Sequence, residues 1–293
     1  MDRPREIAPS SFAWGDSSGP AAVLSSVRTA ARAADGADPL DEATELALKH
    51  GGLGPGRRMW LSGDDGFALL LGGSASVVVR PERRGAGLGR ALAQAAIGGA
   101  GGGPLTAWSH TDHPAAAALA AALGFARVRE LWVMRRPTTL PLPEAPVPAG
   151  VSIRGYRPTD APALLRVNAA AFAAHPEQGA MDAADLAGRM AEPWFDPAGL
   201  LVAEDDGDLL GFHWTKRHGT DLGEVYVIGL APAAQGRGLG TALTVAGLAH
   251  LGADPAVREV LLYVESDNHP ALALYRRLGF THEDRDTHVM YRR

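Results

Sequence analysis

The sequence predicts an α/β protein of two tandem domains, each a mixed central sheet flanked by helices. An apolar, β-branched stretch, a glycine-rich turn and an Ala/Leu-rich helix follow one another twice along the chain. Equivalent glycines of the two turns, Gly89 and Gly240, lie 151 residues apart, a separation of domain size. A proline-rich segment separates the copies, and 293 residues are enough for two ordinary domains.

The second copy carries the clearer site. Residues 225–230 predict a buried strand, and residues 241–250 predict a helix. Glycine permits positive φ, and the first turn of a helix presents unpaired N–H groups at the positive end of its dipole. The order strand, glycines, helix therefore predicts a cradle for a phosphate or pyrophosphate. The turn itself reads Gln235-Gly236-Arg237-Gly238-Leu239-Gly240.

This turn matches neither the P-loop nor the dinucleotide fingerprint. Further along, residues 261–265 predict another strand, Asn268 follows it, and a helix containing Tyr275 leads into a Leu-Gly-Phe that ends at Phe280. Together these motifs resemble the acetyl-CoA site of the GCN5-related N-acetyltransferases. The resemblance implies acetyl-CoA as cosubstrate, with Tyr275 protonating the departing thiolate and Asn268 contacting the cofactor. The alternative for Tyr275 is a core aromatic.

The resemblance also implies which residues line the cofactor in each copy, along the strand end and the glycine turn. In the second copy these are Ile228, Gly229, Leu230, Gln235, Gly236, Arg237, Gly238, Leu239, Gly240, Thr241 and Asn268. In the first copy they are Val77, Val78, Val79, Gly85, Ala86, Gly87, Leu88, Gly89 and Arg90.

The first copy lacks the reactive side chains. Counted back from its Leu-Gly-Phe, the position of Tyr275 falls on Ala120; counted forward from the His-Pro pair, it falls on Leu119. Neither carries a hydroxyl, and Asn268 likewise becomes Asp112 or His113. We therefore predict a first domain without catalysis.

Two alternatives stay open for that first domain. It binds cofactor through a cradle flanked by Arg83 and Arg84, or it is an empty scaffold. Residues 51–73 are Gly-rich and short of one clear strand, which bears on whether its site is complete.

Five prolines between residues 137 and 148 exclude a helix or a central strand. We therefore predict a first domain of residues 1–136, a stiff linker of residues 137–150 and a catalytic domain of residues 151–293. The second domain begins with a strand over residues 151–154, and Asp160 is the expected N-cap of the helix that follows.

Composition narrows the class of protein. The chain is 46% hydrophobic and 21% charged, with a net charge of −5, so charge favours neither nucleic acid nor a membrane as partner. There are no cysteines, which excludes disulfides, thiolate metal ligands and cysteine nucleophiles. No apolar run approaches membrane-spanning length, and the charged N-terminus is not a secretory signal. We expect a cytoplasmic monomer that acts on a small molecule without a metal, and we interpret His110 and His113 as loop residues.

Transfer of an acetyl group to an amine needs a base, because an amine with a pKa of ~7.7–8.0 is largely protonated at neutral pH. Glu224 stands at the start of the strand that feeds the glycine turn, where a carboxylate could take the proton directly or through one water. The alternative is a solvated carboxylate at the end of a strand.

Longer blocks make the resemblance more specific. Residues 168–179, 194–197, 211–216, 223–227 and 261–268 resemble stretches of the mycothiol synthases. That resemblance implies acetylation of the cysteinyl amine of Cys-GlcN-inositol (desacetylmycothiol) to give mycothiol and CoA. It also implies a set of acceptor-binding residues, of which Glu42 reaches over from the first domain: Glu42, Glu177, Lys216, Glu224 and Tyr263.

Two other functions stay open at this point. One is a tandem acetyltransferase that acts on a different amine, such as an aminoglycoside or a protein N-terminus. The other is an acetyl-CoA sensor without catalysis, against which Tyr275 and Glu224 together argue.

Overall fold

The computed structural model describes residues 3–173 and 178–293. The chain forms two compact units: unit 1 is Met1–Trp132 with Glu283–Arg293, and unit 2 is Val133–His282. This division differs from the expected domains 1–136 and 151–293 at two strands. The strand that contains residues 133–136 enters unit 2 with its last residues. The last strand of the chain crosses into unit 1, where Val289 pairs with Ser109, so its residues leave the second domain.

Unit 1 is a mixed sheet with helices on both faces. Its elements are β1 (Arg5–Glu6), α1 (Gly19–Asp35), α2 (Glu42–Gly51), β2 (Arg57–Ser62), β3 (Gly66–Leu71), β4 (Ser74–Val79), α3 (Leu88–Gly99), β5 (Thr106–Ser109) and α4 (Pro114–Ala122). Two further strands are shared between the units: β6 (Ala126–Pro137) and β12 (Thr281–Arg292). The strand order in unit 1 is β1-β2-β3-β4-β5-β12-β6.

The Gly-rich region of the first domain contains two strands where the sequence indicated a missing one. Strands β2 and β3 form an antiparallel hairpin in which Ser62 pairs with Gly66. In β3, Phe67 and Leu69 join the core under α1 and α2, while Ala68 and Leu70 join the core under α3. A strand buried on both faces reads as a continuous apolar run, so alternation could not reveal it.

Unit 2 repeats the plan. Its strand order is β6-β11-β10-β9-β8-β7. Strands β7, β8, β9 and β10 pair antiparallel in succession, and β10 pairs parallel with β11. The predicted mixed sheet flanked by helices is thus confirmed. The elements not yet defined are β7 (Val151–Gly155), α5 (Ala161–Ala171), α6 (Ala183–Met190), β8 (Leu200–Asp205), β9 (Asp208–His218), β10 (Leu222–Leu230), α7 (Leu239–Gly252), β11 (Glu259–Glu265) and α8 (His269–Arg277). None of the helices in the described residues combines the length and apolarity needed to cross a membrane.

The proline-rich segment is fastened to unit 2 by a buried arginine. The Arg136 guanidinium donates to the carbonyls of Leu140 and Pro141 in the proline-rich segment and to that of Leu278 after α8. Asp160 precedes α5 but makes no side-chain cap to it. Its carboxylate instead accepts from Arg154 and from the Arg157 N–H, because a nearby guanidinium forms the stronger, charge-assisted bonds.

A neutral histidine is built into the core of unit 2. His213 on β9 is fully buried, and its Nδ1 lies 2.8 Å from the Leu243 carbonyl. Its Nε2 has no hydrogen-bond partner among the described residues. Burial lowers the pKa of His213 to about 4, although the Leu243 carbonyl acts in the opposite direction.

Unit 2 should therefore lose stability in mild acid. The unfolded chain takes up a proton at His213 below its ordinary pKa of 6.5, and the folded chain does so only near 4. The free energy of unfolding that neutral His213 contributes is fully present above pH 6.5. It is lost as the pH falls, by about 2 kcal/mol at about pH 5. Denaturant unfolding measured across that range should show this slope, and His213→Leu should flatten it. An equal slope in the variant would assign the acid sensitivity to other groups.

Candidate active site

The glycine turn of unit 2 adopts the conformation that the sequence predicted. Gly236 and Gly238 have φ of +75° and +81°, a region that other residues rarely adopt, and Gly238 is the N-cap of α7. The first bond of the helix runs from the Ala242 N–H to the Gly238 carbonyl. The N–H groups of the first turn before Ala242 thus have no intrahelical acceptor, and they form a preorganised anion cradle.

The two parallel strands beside this turn separate from each other. Strands β10 and β11 pair from Leu222 to Val225, and a bulge at Val225/Val227 follows in β10. Beyond it both strands continue without pairing to each other, so a cleft opens along residues 226–230. The predicted cofactor residues Ile228, Gly229 and Leu230 form this separated end of β10, directly before the glycine turn.

Unit 1 contains the same cradle with different side chains. Gly85 and Gly87 have φ of +76° and +85°, and Gly87 is the N-cap of α3. Pairing of β4 with β5 extends over Ser74 and Ala75 and not to the end of either strand. The backbone plan of the predicted first site, with Val77, Val78 and Val79 before the turn, is therefore the same as in unit 2.

The two arginines expected to serve that first cradle are engaged elsewhere. Arg84 donates both guanidinium arms to Asp35, at 2.7 Å each, and its Nε donates to the Val79 carbonyl. Arg83 pairs with Asp65 at 3.1 Å. Each cation thus already has a carboxylate partner, and its proposed contact with a phosphate stays a prediction.

Tyr275 lies on α8, the helix that follows β11 in the chain. Its ring is buried and packs edge-on against Phe280, with centroids 5.8 Å apart. Burial raises the pKa of Tyr275 to about 12, so the phenol keeps its proton throughout the neutral range. Asn268 is the N-cap of the same helix, its side chain accepting from the Ala271 N–H at 3.3 Å.

The helix caps settle which residue of unit 1 corresponds to Tyr275. The Phe280 N–H donates to the Tyr275 carbonyl, and the Phe125 N–H donates to the Ala120 carbonyl in the same way. The N-caps are Asn268 and His113, each seven residues earlier. Ala120 is therefore the counterpart of Tyr275, and aligning the His-Pro pairs misplaced it by one residue. Glu224 has no acidic counterpart either. It pairs with Leu261 of β11, and the residue in the same register of unit 1, opposite Thr106 of β5, is Ser74.

Glu224 is a buried carboxylate with a histidine partner. It lies on β10 and retains 7% of its side-chain exposure, and its Oε2 lies 2.5 Å from Nε2 of His218 on β9. Lys216 is directly opposite Glu224 in the antiparallel register, so the two side chains share one face of the sheet. Leu261 of β11 pairs with Glu224 and lies on the same face, and so does the exposed Tyr263, two residues after it.

Lys216 is almost fully buried under two aromatic rings. Its Nζ lies 4.5 Å from the ring centroid of Trp194 and 5.0 Å from that of Tyr226. The rings of Trp194 and Tyr226 contact each other edge-on, 5.1 Å apart. The negative faces of such rings stabilise a largely buried ammonium group.

The remaining predicted residues have different outcomes. Glu177 lies outside the described residues. Glu42 is the first residue of α2 in unit 1, and its proposed reach into the acceptor site stays a prediction.

His113 accepts from the Ala115 N–H as the N-cap of α4, and Nδ1 of His110 lies 3.3 Å from Nδ1 of His288. Among the described residues no group of His, Cys, Asp and Glu is arranged to hold a metal.

Sequence reasoning assigned no role to three residues of this site: His218, Trp194 and Tyr226. One signal was present. Lys216 and His218 alternate on a strand that returns after a short turn, which places both on the face of Glu224. The approach of Trp194, from the segment after α6, had no local signal.

Sequence comparison identifies the family of this chain. Residues 167–280 match the model of the Acetyltransferase (GNAT) family. The chain is 58% identical over 291 residues to a protein of Nocardioides sp. named mycothiol acetyltransferase, covering 93% of this chain and 97% of that one. It is 52% identical to one of the same name from Thermomonospora curvata, over 88% of each chain.

Solved structures support the fold alone. A tandem GNAT protein from the clavulanic acid biosynthesis pathway superposes with a TM-score of 0.71 at 24% identity, over 99% of this chain and 98% of that one. A GCN5-related N-acetyltransferase of Sphaerobacter thermophilus also reaches 0.71, at 22% identity over 99% and 94%. The resemblance read from the motifs is confirmed, and the chain belongs to the mycothiol acetyltransferase family of GNAT acetyltransferases.

Proposed function

We propose that this protein transfers the acetyl group of acetyl-CoA to the cysteinyl amine of Cys-GlcN-inositol, giving mycothiol and CoA. One observation carries the proposal: Glu224 and Lys216 lie side by side on one sheet face, next to the point at which β10 and β11 separate. The names of relatives up to 58% identical supply the acceptor. The proposal includes a cytoplasmic, monomeric enzyme that needs no metal, nucleic acid or membrane.

The residues around the cleft fit acetyl-CoA. Gly236 and Gly238 have positive φ and nothing within 4 Å of the position a Cβ would take, so the turn before the helix N-terminus leaves room for a pyrophosphate. The separated end of β10 leaves backbone groups for an extended pantetheine arm, and Asn268 begins the helix that carries Tyr275. Acetyl-CoA supplies the activated thioester that a free amine attacks.

Two side chains of unit 2 would move the protons. Glu224 takes a proton from the acceptor's ammonium group, directly or through one water, and so produces the amine that attacks. Tyr275, protonated because burial raises its pKa to about 12, gives its proton to the sulfur as the thiolate leaves. Neither residue is repeated in unit 1, where Ser74 and Ala120 occupy the equivalent positions.

The acceptor would lie against the same sheet face. Tyr263 is 45% exposed and offers a ring and a hydroxyl to the sugar, while Lys216 holds a positive charge under Trp194 and Tyr226. Charged groups make the stronger hydrogen bonds to hydroxyls. Glu177 and Glu42 complete the proposed set of acceptor residues by resemblance.

The function is tested by acetyl-CoA turnover with Cys-GlcN-inositol against a panel of other amines, including an aminoglycoside and a peptide N-terminus. We expect the highest kcat/KM for Cys-GlcN-inositol by at least about 10²-fold, because a site that hydrogen-bonds its substrate rejects analogues that leave polar groups unpaired. Preference for another amine would make this a tandem acetyltransferase of different specificity. Binding of acetyl-CoA without turnover of any amine would indicate a sensor.

We also propose that unit 1 binds acetyl-CoA without catalysing transfer. Gly87 and Gly238 have nearly equal backbone angles, with φ of 85° and 81° and ψ of −4° and −7°. Glutamate at either position should repel a pyrophosphate and strain the turn, since each φ is positive. The two substitutions are thus matched controls for each other.

Gly238→Glu should abolish turnover, and Gly87→Glu should retain at least part of it. Calorimetry of the wild-type chain with acetyl-CoA should show two sites, and each variant should lose a different one. One wild-type site, absent in Gly238→Glu and present in Gly87→Glu, would mean that unit 1 is a scaffold without cofactor.

A further inference from the structure

We propose that His218 is the proton outlet of the active site: it receives the proton that Glu224 takes from the acceptor and releases it to solvent. The inference rests on the proposed function, in which Glu224 is the base. It adds a residue to which neither the sequence motifs nor the family comparisons assign a role.

Proton balance requires such an outlet. An ammonium acceptor loses two protons when it becomes an amide, one to form the free amine and one as the new C–N bond replaces the C–S bond. One proton ends on the thiol of CoA by way of Tyr275. The other must leave the protein in every turnover, and Glu224, 5% exposed as a residue, would return it to water slowly on its own.

His218 bridges that distance from the buried carboxylate to water. Its Nε2 lies 2.5 Å from Oε2 of Glu224, whereas its side chain is 41% exposed against 7% for the carboxylate. Imidazole takes up and releases protons near neutral pH through two separate nitrogens. In the resting pair the neutral ring donates its Nε2–H to the ionised Glu224. Once Glu224 has taken the acceptor's proton, tautomer exchange through solvent moves the ring proton to Nδ1, and the freed Nε2 accepts the proton of Glu224. Loss of the Nδ1 proton to water then regenerates the starting form.

Other charged or titratable side chains lie on the same sheet face. On β9, Lys216 stands two residues before His218, held under its two aromatic rings. On β11, Glu259 pairs with Arg135 of β6 at 2.7 Å, and Tyr263 lies four residues further along. Lys216 raises the positive potential near Glu224 and so favours proton departure, while Arg135 neutralises Glu259 as a competing acceptor.

A second histidine–carboxylate pair of unit 2 provides a matched control. Nε2 of His250 on α7 lies 3.0 Å from Oδ2 of Asp196, and the two side chains are 29% and 49% exposed. Both partners already contact solvent, so this pair connects no buried group to water. His250 and Thr215 both lie beside Gly199, and the side chain of Thr215 is on the opposite sheet face from Glu224.

The test compares His218→Gln with His250→Gln at about pH 7 in dilute buffer, with Cys-GlcN-inositol and acetyl-CoA. Glutamine can still hydrogen-bond Glu224 and cannot carry a proton. We expect kcat to fall about 10-fold or more in His218→Gln with KM nearly unchanged, and added imidazole to restore it in proportion to its concentration. His250→Gln should keep wild-type kcat and show no response to imidazole.

A second prediction separates a relay from a local packing effect. In the double variant Glu224→Gln/His218→Gln, kcat should equal that of Glu224→Gln alone, because an outlet has no role without the base. In the free enzyme, ¹⁵N NMR of labelled histidines should show the ring nitrogens of His218 shifting on Glu224→Gln while those of His250 do not.

Three results would overturn the proposal: wild-type kcat in His218→Gln, a loss that neither imidazole nor buffer concentration restores, or losses that add in the double variant. Melting temperatures of both variants show whether a loss comes from unfolding. A wild-type enzyme without turnover of Cys-GlcN-inositol would refute the proposed function instead, so the two failures are distinguishable.

Discussion

Tyr275→Phe should lower kcat by about 10²–10⁴-fold while leaving acetyl-CoA affinity nearly intact, because it removes a general acid and almost no volume. The ring packs against Phe280 and is 6% exposed, so the phenylalanine ring fills the same space. Steady-state kinetics with calorimetry of acetyl-CoA separates the two quantities. Unchanged kcat at saturating substrate would reassign Tyr275 to the core.

The loss in Tyr275→Phe should not depend on pH. Burial raises the pKa of the phenol to about 12, so the wild-type side chain is protonated at every pH at which the enzyme is assayed. A phenol this weak gives up its proton only as the thiolate forms in the same water-poor pocket, where burial also raises the pKa of a thiol. The fold-loss should therefore stay constant from about pH 6 to about pH 9.

Tyr291→Phe is the matched control for that variant. Tyr291 is also buried, and its hydroxyl has no hydrogen-bond partner among the described residues. Removing the oxygen there should leave activity unchanged and stability equal or slightly higher, because an unpaired buried hydroxyl is itself unfavourable. An activity loss equal to that of Tyr275→Phe would mean that any buried phenol is needed for packing.

Glu224→Gln should lower kcat/KM by about 10²-fold or more at neutral pH and recover partly as the pH rises. The amide cannot accept the proton, but alkaline solution deprotonates the acceptor amine, whose ordinary pKa is ~7.7–8.0. The pH profile of kcat/KM, measured for variant and wild type, tests this. An equal loss at every pH would assign Glu224 to binding or orienting the acceptor.

Glu259→Gln is the control for Glu224→Gln. Glu259 lies on the neighbouring strand β11, opposite Leu222, and its carboxylate pairs with Arg135. Both changes remove one carboxylate from the same sheet face, so a general electrostatic effect should appear in both. We expect Glu259→Gln to change kcat/KM by less than about 2-fold, since an exposed ion pair contributes little.

Much of the fold and part of the site were predictable because they depend on short stretches of chain. Positive φ at Gly236 and Gly238 needs glycine, so the turn is visible in six residues. Tyr275 and its Leu-Gly-Phe are recognisable because the helix ends in a fixed pattern of backbone bonds. Strand β3 was missed because it is buried on both faces and carries no alternation.

The sequence by itself determined the two-copy plan and both glycine turns, which follow from local backbone conformation, and its motifs marked Tyr275 on α8 as the proposed proton donor by resemblance. Only the tertiary structure decided which partners meet. Arg84 pairs with Asp35, Lys216 lies under Trp194, and β12 pairs with a strand of the first unit. Such contacts join residues far apart in the chain, and many other pairings share the same charges and apolarity. Sheet register and packing select among them, which is why the bond between His218 and Glu224 appears only in the folded protein.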